Sequence, residues 1–419
     1  MNPVRFAVIG LGGYGLVHID AVRVLAREGK ARLVAVVALP VDRKTRPELA
    51  HTLEQEGVRL YDSTEQFLRE GVPTVDALTV PIGIHQHVPV SVAALDAGLH
   101  VYCEKPVAAT VQDVDALIAA QARTGRKVTI GYQHMHSNSI QQLKQRVVSG
   151  RLGTIRTATL LCGWPRSRQY FSRNEWTGKL RIGNDWILDS PANNALAHYV
   201  LNLLYVGSQR ERQAATPVTL HAHLCRANAI ESADTSEVLL TTEDGVQMHW
   251  ILTHANVTPC GPRLTITGDR GRAYWQMDEA MAVIRYADGT SETFDNRIHP
   301  QWRYNGFRNF VDALRGEAEI ICPPALARAQ TLAINLMHES CPSIAVVPDD
   351  AVLEQEDWEM HPPNAKGTFR RIRGLDAYME IAIQERVFIS ELGARWAGGE
   401  GTKEVRGEGY RWFGAEWGV

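Results

Sequence analysis

The stretch Val4-Arg5-Phe6-Ala7-Val8-Ile9-Gly10-Leu11-Gly12-Gly13-Tyr14-Gly15-Leu16-Val17-His18 decides the fold. Its first six residues are mostly apolar, with β-branched members, which predicts a buried strand. Gly10-x-Gly12-x-x-Gly15 follows at once, and residues 16–25 then place Val17, Ala21, Val24 and Leu25 at helical spacing. A strand, this glycine turn and a helix in succession are the signature of a dinucleotide-binding βαβ unit. Gly10 permits the tight turn, Gly12 lets the backbone approach a pyrophosphate, and Gly15 lets helix and strand pack closely. Gly13 and Tyr14 share the turn and join the expected cofactor contacts. The helix N-terminus offers free N–H groups and a partial positive charge to the phosphates.

Outward from this unit, residues 33–38 form the second predicted strand. Its closing residue would ordinarily be an acid holding both ribose hydroxyls of NAD. Ala38 stands there instead, and Arg43 and Lys44 follow. A missing carboxylate beside cations tips the cofactor slightly toward NADP. Asp42 reaching back would keep an ordinary NAD site. Further strands are predicted at residues 75–80, 100–103 and 127–131, with helices near 88–97 and 111–124 that end at Gly98 and Gly125. Alternating apolar strands and helices mean a parallel, doubly wound Rossmann sheet. Its ligands sit outside the C-terminal strand ends. Pro81 to His85 and Glu104-Lys105-Pro106 occupy such ends, so Pro81, His85, Glu104, Lys105 and Pro106 complete the expected cofactor set.

Composition narrows the class. The chain has 419 residues, beyond the ~250–300 at which single cores stop growing, so more than one domain is expected. It carries 44 basic and 47 acidic residues, a net charge of −3, and no long cationic run, which gives no electrostatic footprint for nucleic acid. Cys103, Cys162, Cys225, Cys260, Cys322 and Cys341 are scattered without a C-x-x-C pair. They read as buried reduced thiols of a cytoplasmic protein, and no metal site is expected. Strand residues begin by Val4, leaving no room for a signal peptide, and no run of ~20 apolar residues predicts a membrane span.

The chain resembles the Gfo/Idh/MocA family (glucose–fructose oxidoreductase, inositol dehydrogenase, MocA). The carrying residues are Gly10-x-Gly12-x-x-Gly15-x-x-His18, His85, and Ala97-Gly98-Leu99-His100-Val101-Tyr102-Cys103-Glu104-Lys105-Pro106. Gly131-Tyr132-Gln133-His134, Gly150-Arg151-Leu152-Gly153-Thr154-Ile155 and Asn194-Ala195-Leu196-Ala197-His198 continue it, and the closing-helix likeness runs through Asn309 to Leu314 and Ala325 to Ser340. The resemblance covers roughly residues 4–345. It implies an N-terminal Rossmann domain at 1–131 and a substrate-binding and oligomerisation α+β domain at 132–345. The latter would hold a large open, mainly antiparallel sheet whose free face mediates a homodimer or homotetramer. It also implies an NAD(P)-dependent oxidoreductase acting on a secondary alcohol or carbonyl of a sugar, inositol, polyol or sugar acid.

The second half bears its own pattern. Residues 216–225, 236–242, 246–253, 263–268, 271–276 and 281–286 read as strands of an antiparallel meander with one covered and one freer face. Residues 195–205 read as a helix, with Asn194 and His198 one turn apart on one face. Where the family usually has an acid, this chain has Asn194, which carries no charge to raise the histidine pKa. His198 is the expected acid/base, Lys105 the group that stabilises charge on the reacting oxygen, and Asn194 their aid. Asp189 either supplies the missing carboxylate or caps the following segment. Gln133 and His134 should face the cleft. Trp164, Arg166 and Arg168, with Trp176 and Trp186 nearby, suit a sugar, or a sugar acid if either arginine meets a carboxylate; equally they are packing residues. Residues 346–419 form an extension, with an amphipathic helix at 375–392 and the tail aromatics Trp412, Phe413 and Trp417 docked on the parent domains or a neighbour. Two rival functions stand beside the dehydrogenase. One is a glycoside hydrolase using tightly held NAD through transient sugar oxidation; the other is a non-catalytic NAD(P) or metabolite sensor.

Overall fold

The computed structural model describes residues 2–297, 301–360 and 363–414. The chain divides into two compact units, Met1–Ser137 with His299–Arg328, and Asn138–Ile298 with Ala329–Val419.

The first unit is a six-stranded parallel sheet. Its strands are β1 Val4–Ile9, β2 Ala31–Val37, β3 Arg59–Tyr61, β4 Ala77–Val80, β5 His100–Cys103 and β6 Val128–Ile130, in the order β3-β2-β1-β4-β5-β6. This doubly wound order reverses direction between β1 and β4, which places a ligand crevice at the C-terminal ends of those strands. The strands read as apolar runs because helices cover both faces. Phe6, Val8, Ile19, Val22, Leu25 and Val36 form one buried cluster, joined by Phe307, Phe310 and Val311 of the later helix Asn305–Leu314. The helix Val111–Thr124 is closed at both ends. The Thr110 hydroxyl accepts from the Asp113 amide, and Gly125 turns the chain with φ +66°. The helix predicted at 88–97 starts earlier, at Ile84. The three-residue β3 escapes the sequence reading because it opens on exposed Arg59, whereas β6, equally short, begins and ends on apolar residues and is buried throughout.

The second unit holds β7 Ile155–Gly163, β8 Arg181–Ile182, β9 Asp185–Trp186, β10 Pro217–Arg226, β11 Thr235–Thr242, β12 Gln247–Thr253, β13 Cys260–Gly268, β14 Gly271–Gln276, β15 Met281–Tyr286, β16 Ser291–Asp295, β17 Ala345–Val346, β18 Val352–Met360, β19 Pro363–Ile372 and β20 Val405–Arg406. The large sheet runs β16-β15-β14-β13-β7-β12-β11-β10-β17, with β20 added on β10. It corrects the expected meander. The unpredicted β7 inserts in the middle, antiparallel to β13 but parallel to β12, so the sheet is mixed. Residues 160–163 of β7 are all buried, and the alternation that marks a half-covered strand is lost there.

The expected freer face holds for Thr157, Thr159, Thr267 and Arg272 but is covered at one end. Leu161, Cys225 and Ile251 from the sheet are buried with Leu375, Met379, Ala382 and Ile383 of the helix Leu375–Glu385, so the extension covers the sheet there. That helix is shorter than the predicted 375–392. Arg386 adopts φ +58°, and a 3-10 turn, Ile389–Leu392, follows. β18 and β19 pair as a hairpin. Phe413 is buried 4.9 Å from the Trp186 ring, whereas Trp412 is exposed; Trp417 lies outside the described residues. All six cysteines are free thiols, five buried and Cys260 half-buried. Among the described residues, no helix is long and apolar enough to cross a membrane, and no group of three potential metal ligands occurs.

Candidate functional site

The glycine turn has the geometry its sequence calls for. Gly10 sits at φ +93° and donates to Val37 O at 2.7 Å. A Cβ on Gly15 would lie 2.6 Å from Gly10 O, so helix and strand approach too closely for any side chain. A Cβ on Gly12 would meet open space, and the turn therefore leaves room for a ligand. Gly13, at φ +50°, precedes the helix Tyr14–Arg27. The Tyr14 hydroxyl donates to Gln133 Oε1 at 3.1 Å, tying the turn to the end of the sheet.

Ala38 is buried just past β2. Arg43 folds back on it, its Nε donating to Ala38 O at 3.2 Å while a terminal nitrogen pairs with Asp62 at 2.9 Å. Asp62, which the sequence reading missed, stands just past the neighbouring β3 and engages the cation that follows the carboxylate-free end of β2.

At the end of β5, Glu104 is buried and fully engaged. His18 Nε2 lies 3.1 Å from Oε1, and the Lys105 amide donates to Oε2 at 3.0 Å. His18 is itself walled by Tyr102 and Phe307, ring centroids 5.4 and 5.0 Å away. A Cβ on Gly131 would collide with Glu104 Oε1, which explains a glycine there. The Lys105–Pro106 bond is cis, and buried His87, also unanticipated, sits 2.7 Å from Pro106 O and 3.0 Å from Ile82 O. The Lys105 backbone is thus held from both sides. His85 lies in the first turn of the helix Ile84–Asp96, and its ring takes up the space a Gly83 side chain would need. His134 packs against Trp302, the ring centroids 4.3 Å apart and the planes tilted by 50°. Burial, with Arg303 and Lys105 adding repulsion, pushes its pKa down to about 3, so it is neutral at working pH.

In the second unit, Asn194 and His198 do not share a helix face. Ser190 caps a short turn at Pro191–Asn193, Asn194 follows with φ −129° and ψ −95°, and the helix begins only at Ala197. The turn ahead of the helix defeats the i, i+4 argument. Asp189 is buried; Oδ1 accepts from Asn194 Nδ2 at 2.8 Å and Oδ2 from the Gly178 amide at 2.5 Å. Asp189 thus fixes the Asn194 amide, and the capping falls to Ser190.

The two arginines of the Trp164 segment part company. Arg168 is 62% exposed and pairs with Glu354 at 3.2 Å. Arg166 is 4% exposed and lies over the Tyr170 and Trp164 rings, at 5.0 and 5.9 Å. Beside it is His254, a third residue the sequence did not flag. Its Nδ1 is 2.8 Å from Trp164 O, and burial with the Arg166 charge holds its pKa well below the usual histidine range. Tyr170, Asp189, Asn194 and His254 line one crevice, packed too tightly to admit a water molecule.

Comparison with known proteins agrees with this architecture. Residues 4–132 match the NAD-binding Rossmann fold of an oxidoreductase family, and residues 140–274 match the GFO/IDH/MocA C-terminal domain. The chain belongs to the Gfo/Idh/MocA family. An uncharacterized oxidoreductase of Rhizobium meliloti is 31% identical over 37% of this chain and 44% of its own length. A myo-inositol 2-dehydrogenase of Thermotoga maritima is 28% identical over 36% and 42%. The matched stretch spans less than half the length of these curated Gfo/Idh/MocA relatives. Among solved structures, the WlbA dehydrogenase of Bordetella pertussis, in complex with NADH and UDP-GlcNAcA, is 22% identical. It covers 81% of this chain and 96% of its own, with a TM-score of 0.66. The aldose-aldose oxidoreductase of Caulobacter crescentus is 20% identical over 80% and 97%, with a TM-score of 0.63. At these identities the solved structures establish the shared Gfo/Idh/MocA fold.

Proposed function

We propose that this protein is an NAD(P)-dependent oxidoreductase that moves a hydride between the nicotinamide and a secondary alcohol or carbonyl of a sugar, inositol, related polyol or sugar acid. The observation that carries the reading is the Glu104 clamp. A buried carboxylate spent on His18 and the Lys105 amide fixes one lysine at the strand end where a Rossmann sheet receives its ligand. A site with no chemistry to perform has no need to order that lysine.

The residues fit the cofactor. Gly10 and Gly15 shape the turn, and the space beyond Gly12 admits a pyrophosphate. Gly10, Gly12, Gly13, Tyr14, Gly15, Ala38, Arg43, Pro81, His85, Glu104, Lys105 and Pro106 would form its surroundings. When bound, the nicotinamide accepts or supplies the hydride. Lys105 hydrogen-bonds the reacting oxygen and stabilises its negative charge. His198 takes the hydroxyl proton in oxidation and returns it in reduction. Asn194, held by Asp189, orients the substrate with Gln133 and His134. Because Arg43 already faces Asp62, a 2′-phosphate would have to share that cation, and the NADP preference is set by this pair. We place the working protein in the cytoplasm as a homodimer or homotetramer.

The test is direct. NADH and NADPH are titrated by fluorescence, then sugars, inositols and sugar acids are screened for absorbance change at the reduced nicotinamide band. Turnover with one class is the expected outcome. Cofactor binding without net redox change across the panel would overturn the dehydrogenase and leave the NAD-cycling hydrolase or the sensor, which a glycoside-cleavage assay separates.

A further inference from the structure

Buried cations are normally matched, because a desolvated charge is costly unless paired. This chain follows the rule elsewhere. Lys144 donates to three carbonyls, those of Tyr205, Ser208 and Gln213, and buried Arg371, although its Nε is also unmet, bonds Gln355 and Asp357 through its two terminal nitrogens. Arg166 departs from it. Its side chain forms no hydrogen bond or ion pair among the described residues, and its Nε is buried without a partner. Next to it, His254 Nε2 is also buried without a partner. The unmet cation lies over the rings of Trp164 and Tyr170, and the imidazole with its unmet nitrogen stands 5.9 Å from the same Tyr170 ring.

We infer that Arg166 is the receptor for a carboxylate of the substrate, which makes the substrate a sugar acid rather than a neutral sugar or polyol. The guanidinium fork matches a carboxylate with two parallel N–H bonds, and the ring faces hold the cation in place while excluding water. His254, neutral at working pH, accepts a sugar hydroxyl through Nε2 while Nδ1–H donates to Trp164 O. The naming of a sugar rests on the oxidoreductase reading above; the anion site itself does not.

The C-terminal hairpin sets this receptor in place. The Arg166 amide donates to His254 O at 3.0 Å, and the next amide, Ser167, donates to buried Glu359 Oε1 at 3.0 Å. Ser167 also bridges to Phe369, and the Thr368 amide donates to Gln169 Oε1 at 3.1 Å. Glu359 is therefore a positioning residue for Arg166, supplied from outside the stretch that matches the family model.

The experiment measures calorimetric binding and kcat/KM for D-glucuronate, D-galacturonate and D-gluconate against D-glucose, myo-inositol and D-glucose 6-phosphate. The protein is used cofactor-loaded, as wild type, Arg166→Met and Arg166→Lys. In the wild type at least one acid is favoured over its neutral counterpart by about 100-fold. Arg166→Met abolishes that ratio, and Arg166→Lys, which keeps charge without the fork, retains only part of it. Unchanged cofactor affinity shows that each variant is folded. Glu359→Ala raises KM for the acid several-fold with kcat little changed, and Glu359→Gln, whose amide oxygen still accepts from Ser167, restores it. Neutral sugars used as well as acids, a preference for the phosphate, failure of every acid to bind, or an Arg166→Met ratio equal to wild type would each overturn the carboxylate receptor. An acid that binds through Arg166 but is never oxidised or reduced leaves the receptor standing and removes the oxidoreductase.

Discussion

Glu104 and Arg166 are both ionisable and both buried, yet their surroundings are opposite. Glu104 is met by His18 and by the Lys105 amide. Arg166 meets two aromatic rings and no acceptor among the described residues. A satisfied buried charge is scaffold, since removing it leaves its partners stranded. An unsatisfied one lowers the stability of the chain that carries it, and it is retained where something outside the chain completes it. Function is therefore easier to locate from unmet groups than from dense networks.

Substitutions separate the two kinds of charge. The largest effect is expected at the lysine that Glu104 presents. Lys105→Ala should lower kcat by ~10²–10³-fold with cofactor affinity kept within a few-fold; unchanged kcat in steady-state assays removes Lys105 from the chemistry. His198→Ala should lose a comparable factor together with the pH dependence of kcat/KM near neutrality. Next in size, Glu104→Ala should cost ~1–3 kcal/mol by stranding the His18 and Lys105 donors. Arg166→Met should leave the melting temperature unchanged or higher. A thermal-shift experiment giving the two variants equal losses would erase the distinction drawn between them.

Lys144 gives a third, smaller case. Its burial pulls its pKa down to about 7, far below an exposed lysine. Between pH 7 and about 10 the unfolded chain then holds the proton that the folded chain gives up, so stability from this residue rises with pH across that window. Relative to Lys144→Met, wild-type stability should climb from pH 7 to pH 9 in denaturant titrations; parallel curves would show that the ammonium keeps its proton in the fold. The smallest effect concerns the exposed Arg43–Asp62 pair. Arg43→Ala should weaken NADPH several-fold more than NADH, and Asp62→Asn should shift the ratio the other way. Equal changes for both cofactors would sink the 2′-phosphate role.

Most of the Rossmann half is legible because its signals are local: one glycine turn, apolar strands at regular intervals, and a Glu-Lys-Pro at a strand end. What escapes there is contributed from a distance. β3 is an edge strand that opens on an exposed arginine, and Phe307 and Phe310 arrive from a segment far along the chain. The second unit is harder. β7 hides because its buried end has no alternation, and the turn ahead of residue 197 moves Asn194 off the helix that its spacing suggests. Trp164-Pro165-Arg166-Ser167-Arg168 holds two arginines two residues apart. An extended backbone would send such a pair to the same side, but Ser167 caps the short helix Arg168–Phe171, so the chain turns between them, and the interior side is set by the hairpin that packs there. No reading of the segment alone can tell receptor from surface.

The hairpin of β18 and β19 therefore has a meaning beyond packing. The loop proposed to receive the substrate is braced by a hairpin lying outside the two matched domains. If that loop does select the substrate, a lineage could change diet by exchanging one hairpin while its NAD-binding half is inherited untouched.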